Sequence, residues 1–366
     1  MTASSLFTPI EVAGLRLDNR IVIAPMCQYS AADGSMTDWH LIHYGQLALS
    51  GAGLLTIEAT AVSPEGRITY GDVGLYSDAN EAAFAKTLTG IRQWSSMPIA
   101  VQLAHAGRKA STDLPWRGGA QIPPEAPEGW RTVSASALPM VPTDALPTVL
   151  SRDGMIRIRN AFASAARRAA RLGIDAVQLH SAHGYLLHQF LSPLSNRRDD
   201  DYGGSLDNRL RFPLEVFDAV RAAFPADRPV TVRVSGTDWI DGGWTIEETC
   251  AYAEELEKRG AAAIHVSSGG LAAAQIPLGA GYQVPLARTV KAAVKMPVVA
   301  VGLITDFDHA ESIVASGDAD LIGLARVMLY NPRWPWHAAA HLGAQVAAPS
   351  QYLRSQPREL KDLFKA

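Results

Sequence analysis

Eight short apolar runs recur along the chain, each followed by a loop and an amphipathic helical stretch. They lie at residues 20–24, 54–59, 99–104, 176–180, 230–234, 262–266, 298–301 and 320–323. Strands that alternate with helical periods predict a parallel sheet with its crossover helices outside, and eight such units are the number that closes a (β/α)8, or TIM, barrel. The 366 residues suit one such α/β domain over 1–366, with insertions.

The helical stretches predicted between the runs cover 39–50, 81–94, 153–172, 207–224, 246–259, 284–294 and 306–315. Gly173, Gly260 and Gly317 each close such a stretch and lead into the next run, where a helix ends on a left-handed residue. Asp153 and Asp306 are the expected N-caps of their helices.

Two segments depart from the pattern. Residues 111–149, rich in proline, glycine and tryptophan, read as a long insertion after the third strand, in the manner of a lid or site wall. Residues 331–366 form a tail beyond the eighth strand, and its Trp334, Trp336 and Tyr352 need a surface to pack against. An interface between copies of the chain is one place to find it.

A formal net charge of −3 gives no general attraction to nucleic acid or to an anionic membrane, so neither is an expected partner. Cys27 and Cys250 lie far apart, which excludes a disulfide framework and a Cys-x-x-Cys metal site and suits a reducing cytoplasm. No stretch approaches eighteen uninterrupted apolar residues, so a soluble cytoplasmic protein is expected.

A barrel carries its active site at the C-terminal ends of its strands. The residues in the C-terminal half of each run or just past it include Pro25-Met-Cys27, Ala59, Gln102, His180 to Tyr185, Arg233, Ser268-Gly269-Gly270, Gly302 and Arg326. No closely spaced carboxylate pair is among them, which disfavours a glycosidase. Neither a Gly-x-Ser-x-Gly elbow nor a Gly-x-Gly-x-x-Gly turn is present. The glycines after the sixth and seventh strands, together with Arg326, suit a phosphate ester held by backbone N–H groups. His180 and His183 could polarise one carbonyl oxygen while Tyr185 delivers a proton to a neighbouring carbon. With no carboxylate or cysteine close by to complete a shell, a metal is not expected there.

Four segments carry a resemblance: Asn19-Arg-Ile-Val-Ile-Ala-Pro-Met-Cys27, Gln102-Leu-Ala-His-Ala-Gly-Arg-Lys109, His180-Ser-Ala-His-Gly-Tyr185 and Ser192-Pro-Leu-Ser-Asn-Arg197. The chain resembles Old Yellow Enzyme ene-reductases, in the bacterial thermophilic-like and xenobiotic reductase branch that has cysteine after the first strand. The resemblance implies a non-covalently bound FMN that takes hydride from NADPH and passes it from N5 to the β carbon of an α,β-unsaturated carbonyl. It places Pro25, Met26, Cys27, Ala59, Gln102 and Arg233 around the flavin ring, with Cys27 a free thiol that tunes it. Ser268, Gly269, Gly302 and Arg326 then hold the phosphate. His180 and His183 bind the substrate carbonyl, Tyr185 protonates the α carbon, and Tyr29 joins the substrate side. Arg354 is implied to reach the site of a neighbouring subunit in a homodimer or homotetramer. The alternatives are another FMN barrel, of dihydroorotate or dihydrouridine type, a non-catalytic flavin-binding barrel, or an isomerase that keeps the phosphate site.

Overall fold

Each apolar run becomes a strand in the computed structural model, which describes residues 4–365; the outermost residues of the expected 1–366 domain lie outside that range. The strands are β1 (Ile21–Ile23), β2 (Leu54–Ala61), β3 (Ile99–Ala104), β4 (Ala176–Ser181), β5 (Val230–Ser235), β6 (Ile264–Ser267), β7 (Val298–Ala300) and β8 (Leu321–Leu324). Neighbours in sequence pair in parallel, and β8 pairs with β1 to close the barrel. A hairpin of Ile10–Val12 and Leu15–Leu17 packs Val12 and Leu17 against Val22, Val299 and Leu321, an apolar plug at the end where the strands begin. The barrel therefore offers its chemistry at the opposite rim.

Helices α1 (Asp38–Ala48), α2 (Asp78–Arg92), α3 (Arg152–Arg171), α4 (Leu186–Leu191), α5 (Leu206–Ala223), α6 (Ile246–Lys258), α7 (Val284–Ala293), α8 (Phe307–Ala315), α9 (Arg326–Tyr330) and α10 (Trp334–Leu342) surround it. Gly173, Gly260 and Gly317 are left-handed, with φ of 69°, 89° and 78°. Asp306 caps α8, accepting the His309 N–H at 2.8 Å. Asp153 does not cap α3. The backbone is already helical at Arg152, so the extended cap conformation falls on Ser151, whose Oγ accepts the Gly154 N–H at 3.1 Å.

The insertion is irregular, with one two-residue parallel pair, Val133–Ser134 beside Thr148–Val149. It forms one wall of a 480 Å³ cavity whose other walls include Tyr29 and Lys109. The tail corrects an expectation, because its tryptophans are buried by their own chain. Trp334 is 1% exposed, lies 5.1 Å from the Phe307 ring and donates to Thr305 O at 2.8 Å. Trp336 packs between Arg333 and Phe364 and donates to Ala347 O. No helix among the described residues is long and apolar enough to cross a membrane.

Barrel interiors are usually filled by branched apolar side chains. Here the registered neighbours across β3 to β6 are polar: Gln178 beside Gln102 and Thr231, Arg233 beside His180 and His265, Ser235 beside Ser267. Such a lumen is stable only if those groups find partners.

Candidate active site

His180, next to last in β4, lies in the interior, 3% exposed. Its Nδ1 accepts the Ala182 N–H at 3.3 Å, so the ring proton sits on Nε2. His183 follows in the left-handed region, φ 59°, a conformation costly for a side chain and held by its surroundings. Its N–H donates to Ser235 Oγ at 3.0 Å, and its Nε2 lies 2.8 Å from Ser267 Oγ. The His180 ring meets the His183 and Tyr185 rings edge to face, at 5.1 and 4.8 Å between centroids. Burial first, and the Arg233 charge second, hold both histidines well below the usual imidazole range. They are neutral donors, and burial pushes the Tyr185 phenol up, so it keeps its proton at neutral pH.

The backbone that presents these groups is fixed from beneath. Gly184 N–H donates to His188 Nδ1 at 2.9 Å, and His188 Nε2 lies 3.0 Å from Asp238 Oδ1 with both side chains fully buried. Asp238 Oδ2 also accepts from Ser192 Oγ at 2.6 Å and from the Trp244 N–H at 2.8 Å. A Cβ on Gly184 would stand 2.4 Å from Gly270 O, so only glycine lets the loops after β4 and β6 touch there.

Arg233 places a buried guanidinium in the lumen. It is 8% exposed, its Nε has no partner, burial lowers it to about 10, and it forms no ion pair among the described residues. Gln102 Nε2 donates to Gln178 Oε1 at 2.8 Å. Cys27 is a half-buried free thiol at the end of Pro25-Met26-Cys27; burial, then Asp72 and Glu58, push it up, so it stays protonated. Ala59 is buried beside a bulge in β2. The residue before it, Glu58, escaped the sequence reading. Its carboxyl accepts the Tyr44 hydroxyl at 2.8 Å and the Gln28 N–H at 2.9 Å, which pins the segment carrying Cys27.

The expected phosphate residues divide. Gly302 has φ 124°, and a Cβ there would stand 2.7 Å from Gln283 Nε2. Arg326 is exposed at the start of α9. Ser268 instead spends its hydroxyl on Gln283 Oε1 at 2.6 Å, and the Gly269 N–H goes to Thr237 O at 2.8 Å. Tyr29, also left-handed at φ 51°, meets Trp116 edge-on at 6.1 Å. Arg354 is not brought to this rim. It is exposed in the turn Ser350–Ser355, where Tyr352 packs on Trp336, whose indole reaches Gly51 at the opposite end of the barrel.

An anionic planar group with a phosphate tail fits this donor set. The unpaired Arg233 guanidinium asks for a buried negative partner, and Gln102 is an amide suited to a pyrimidine edge. The signals for what was missed were faint: Glu58 is one acid inside an apolar run, and His188 and Asp238 are fifty residues apart in sequence.

Comparison with known proteins agrees with the barrel fold. A family model described as "NADH:flavin oxidoreductase / NADH oxidase family" matches residues 5–345. The chain is 40% identical to an NADPH dehydrogenase of Geobacillus thermodenitrificans, over 95% of this chain and 98% of that one. It superposes on morphinone reductase with a TM-score of 0.78 at 28% identity, covering 100% of this chain and 94% of the other. An Old Yellow Enzyme homologue from Zymomonas mobilis gives a TM-score of 0.76 at 27% identity, with 93% of each chain covered.

Proposed function

We propose, from the premise that this chain belongs to the NADH:flavin oxidoreductase / NADH oxidase family, that it is an FMN-dependent ene-reductase using NADPH as its reductant. Bound FMN supplies the redox chemistry, accepting hydride from NADPH and passing it to the β carbon of an activated alkene. The observation that carries the reading is the buried Arg233 with its unpartnered Nε, set in the same layer as His180. A cationic group under the pyrimidine edge stabilises a ring that gains negative charge.

The chain's own residues do the rest. His180 Nε2–H, with His183 beside it, donates to the carbonyl oxygen of an α,β-unsaturated substrate and withdraws electron density from its β carbon. Neutral donors suit this task, since they stabilise the developing enolate without binding an anion too tightly at rest. Tyr185 Oη gives its proton to the α carbon. Pro25, Met26, Cys27, Ala59 and Gln102 bound the ring, Gly302 and Arg326 take the phosphate, and the backbone at Ser268 and Gly269 shapes that end. Tyr29 and the insertion enclose the substrate mouth.

The active form in this reading is a homodimer or homotetramer in which Arg354 enters the site of a neighbouring subunit. Its exposure on the far side of its own barrel leaves it free to meet a second molecule.

Colour tests the whole reading. The purified protein should be yellow, bleach on anaerobic addition of NADPH and regain its colour with cyclohexenone. A protein that binds no flavin, or whose reduced flavin ignores the enone, would overturn it.

A further inference from the structure

Lys109 has no role in the account above. It ends the turn Gly107–Lys109 after β3, half-buried in the wall between the insertion and the loops that follow β4 and β6. Its Nζ donates to His183 O and to Gly270 O, both at 2.8 Å, and stands 5.0 Å from the centroid of the Tyr185 ring. An ammonium has three N–H groups, so one is left beyond these two bonds. The two loops it ties are in backbone contact, since a Cβ on Gly270 would lie 2.7 Å from His183 Cα. Lys109 is the charge at that seam.

A phenol that gives up its proton in a buried site leaves an anion that needs a counter-charge. Cys27, Tyr29 and Asp72 face Tyr185 with negative or potentially negative groups, and Arg233 faces it with a positive one. His180 and His183 are neutral and cannot balance it. Arg108, beside Lys109, turns away to bond Leu138 O, Pro139 O and Leu271 O. Arg233 is committed to the flavin in the reading above. The ammonium over the ring is then the charge available to the phenolate.

We propose that Lys109 is a positioning residue for the alkene step, which clamps the His183 and Gly270 loops and serves as the counter-charge of the Tyr185 phenolate. The inference rests on Tyr185 being the proton donor. In that step the Tyr185 O–H bond breaks and a C–H bond forms at the α carbon. The electron pair stays on the phenolate oxygen, and water restores the proton before the next turnover. Burial, and next Arg108, lower Lys109 to about 8, so the ammonium is present at neutral pH and is lost as pH rises through that value.

The test uses the FMN-bound holoenzyme of Lys109→Met, Lys109→Arg, Tyr185→Phe and the double variant Lys109→Met/Tyr185→Phe. Stopped-flow should show Lys109→Met slowing re-oxidation by cyclohexenone at least about tenfold, with NADPH reduction of the flavin nearly unchanged and most of the loss restored in Lys109→Arg. In the Tyr185→Phe background the same change should add little, because the two residues act as one unit. A second readout is independent of turnover. With 3,5-difluorotyrosine in place of Tyr185, fluorine NMR should place its titration about one pH unit higher when Lys109 is methionine. An unmoved titration, or a full tenfold loss in the Tyr185→Phe background, would overturn the proposal. If Tyr185→Phe by itself leaves re-oxidation unchanged, the proton-donor reading fails instead, and the fluorine titration still decides whether Lys109 balances the phenolate.

Discussion

Burial sets the working state of each side chain at the rim before any ligand arrives. His180 is neutral because the interior disfavours an imidazolium, and the Ala182 N–H at its Nδ1 commits the proton to Nε2. A phenol such as 4-hydroxybenzaldehyde, bound as phenolate over the oxidised flavin, would accept from that Nε2. His180→Ala should weaken this binding by roughly 1.5 to 3 kcal/mol, the usual worth of a bond to a charged acceptor. Titration of the long-wavelength charge-transfer band measures it. Unchanged affinity would remove His180 from the oxyanion site.

The helices position these side chains by packing, and each depends on how its ends are satisfied. The N-cap of α3 is a case where neighbouring candidates compete: Ser151 has the extended backbone and accepts the Gly154 N–H, while Asp153 lies inside the first turn as an acid near the positive end of the dipole. Ser151→Ala should therefore cost about 1 kcal/mol, and Asp153→Asn only a few tenths up to about 1 kcal/mol. Denaturant unfolding monitored by circular dichroism separates the two; a larger loss from Asp153→Asn than from Ser151→Ala would contradict the assignment.

Titration ties the core to the stability of the entire molecule. His40 and His43 are lowered by burial from 6.5 to about 4, so the unfolded chain binds their protons first on acidification. Their contribution is complete above about pH 6.5 and is lost as pH falls toward 4, at roughly 1.4 kcal/mol per group for each tenfold difference in proton affinity between the folded and unfolded chain. Glu58 works in the opposite sense. Burial raises it from 4.5 to about 8, so the folded state holds the proton, and the associated stability is lost as pH rises through that value. Asp72, raised to about 6, adds to the same trend. On the acid side these two carboxyls are outweighed, because His105, lowered by burial to about 4, and His180, His183 and His265, held by burial well below the usual imidazole range, join His40 and His43. Thermal melts should therefore show maximal stability near pH 6.5, a steep loss on the acid side and a shallow one toward pH 8. A melting temperature flat from pH 4.5 to 6.5 would refute the sign. Assembly is tested at this level too. Arg354→Ala should raise the enone KM or lower turnover without loss of FMN, and mixing it with a His180→Ala/His183→Ala subunit should restore activity in hybrid sites. A fully active monomer by light scattering, or hybrids with no recovery, would count against a shared site.

What the sequence determined alone was the periodic part. Eight apolar runs with helical crossovers allow few arrangements other than a closed parallel barrel, and a strand's last residues must lie on its rim. His180, Arg233 and Gln102, in the C-terminal halves of their strands, were legible for their nearness to that rim, and Gly173, Gly260 and Gly317 because a left-handed residue has to stand there. The cap of α3 was not legible, because Ser151 and Asp153 are equally good capping types and only the backbone shows which one is extended. The tail differs for a related reason. Composition announces that Trp334 and Trp336 must be buried, and the tertiary fold decides that Phe307, Arg333 and Phe364 cover them. Glu58 against Tyr44 and Gln28, His188 against Asp238, and Lys109 over Tyr185 were likewise decided by the closed barrel. Each joins residues from different βα units, and a pairing across units leaves no period or motif in any one of them.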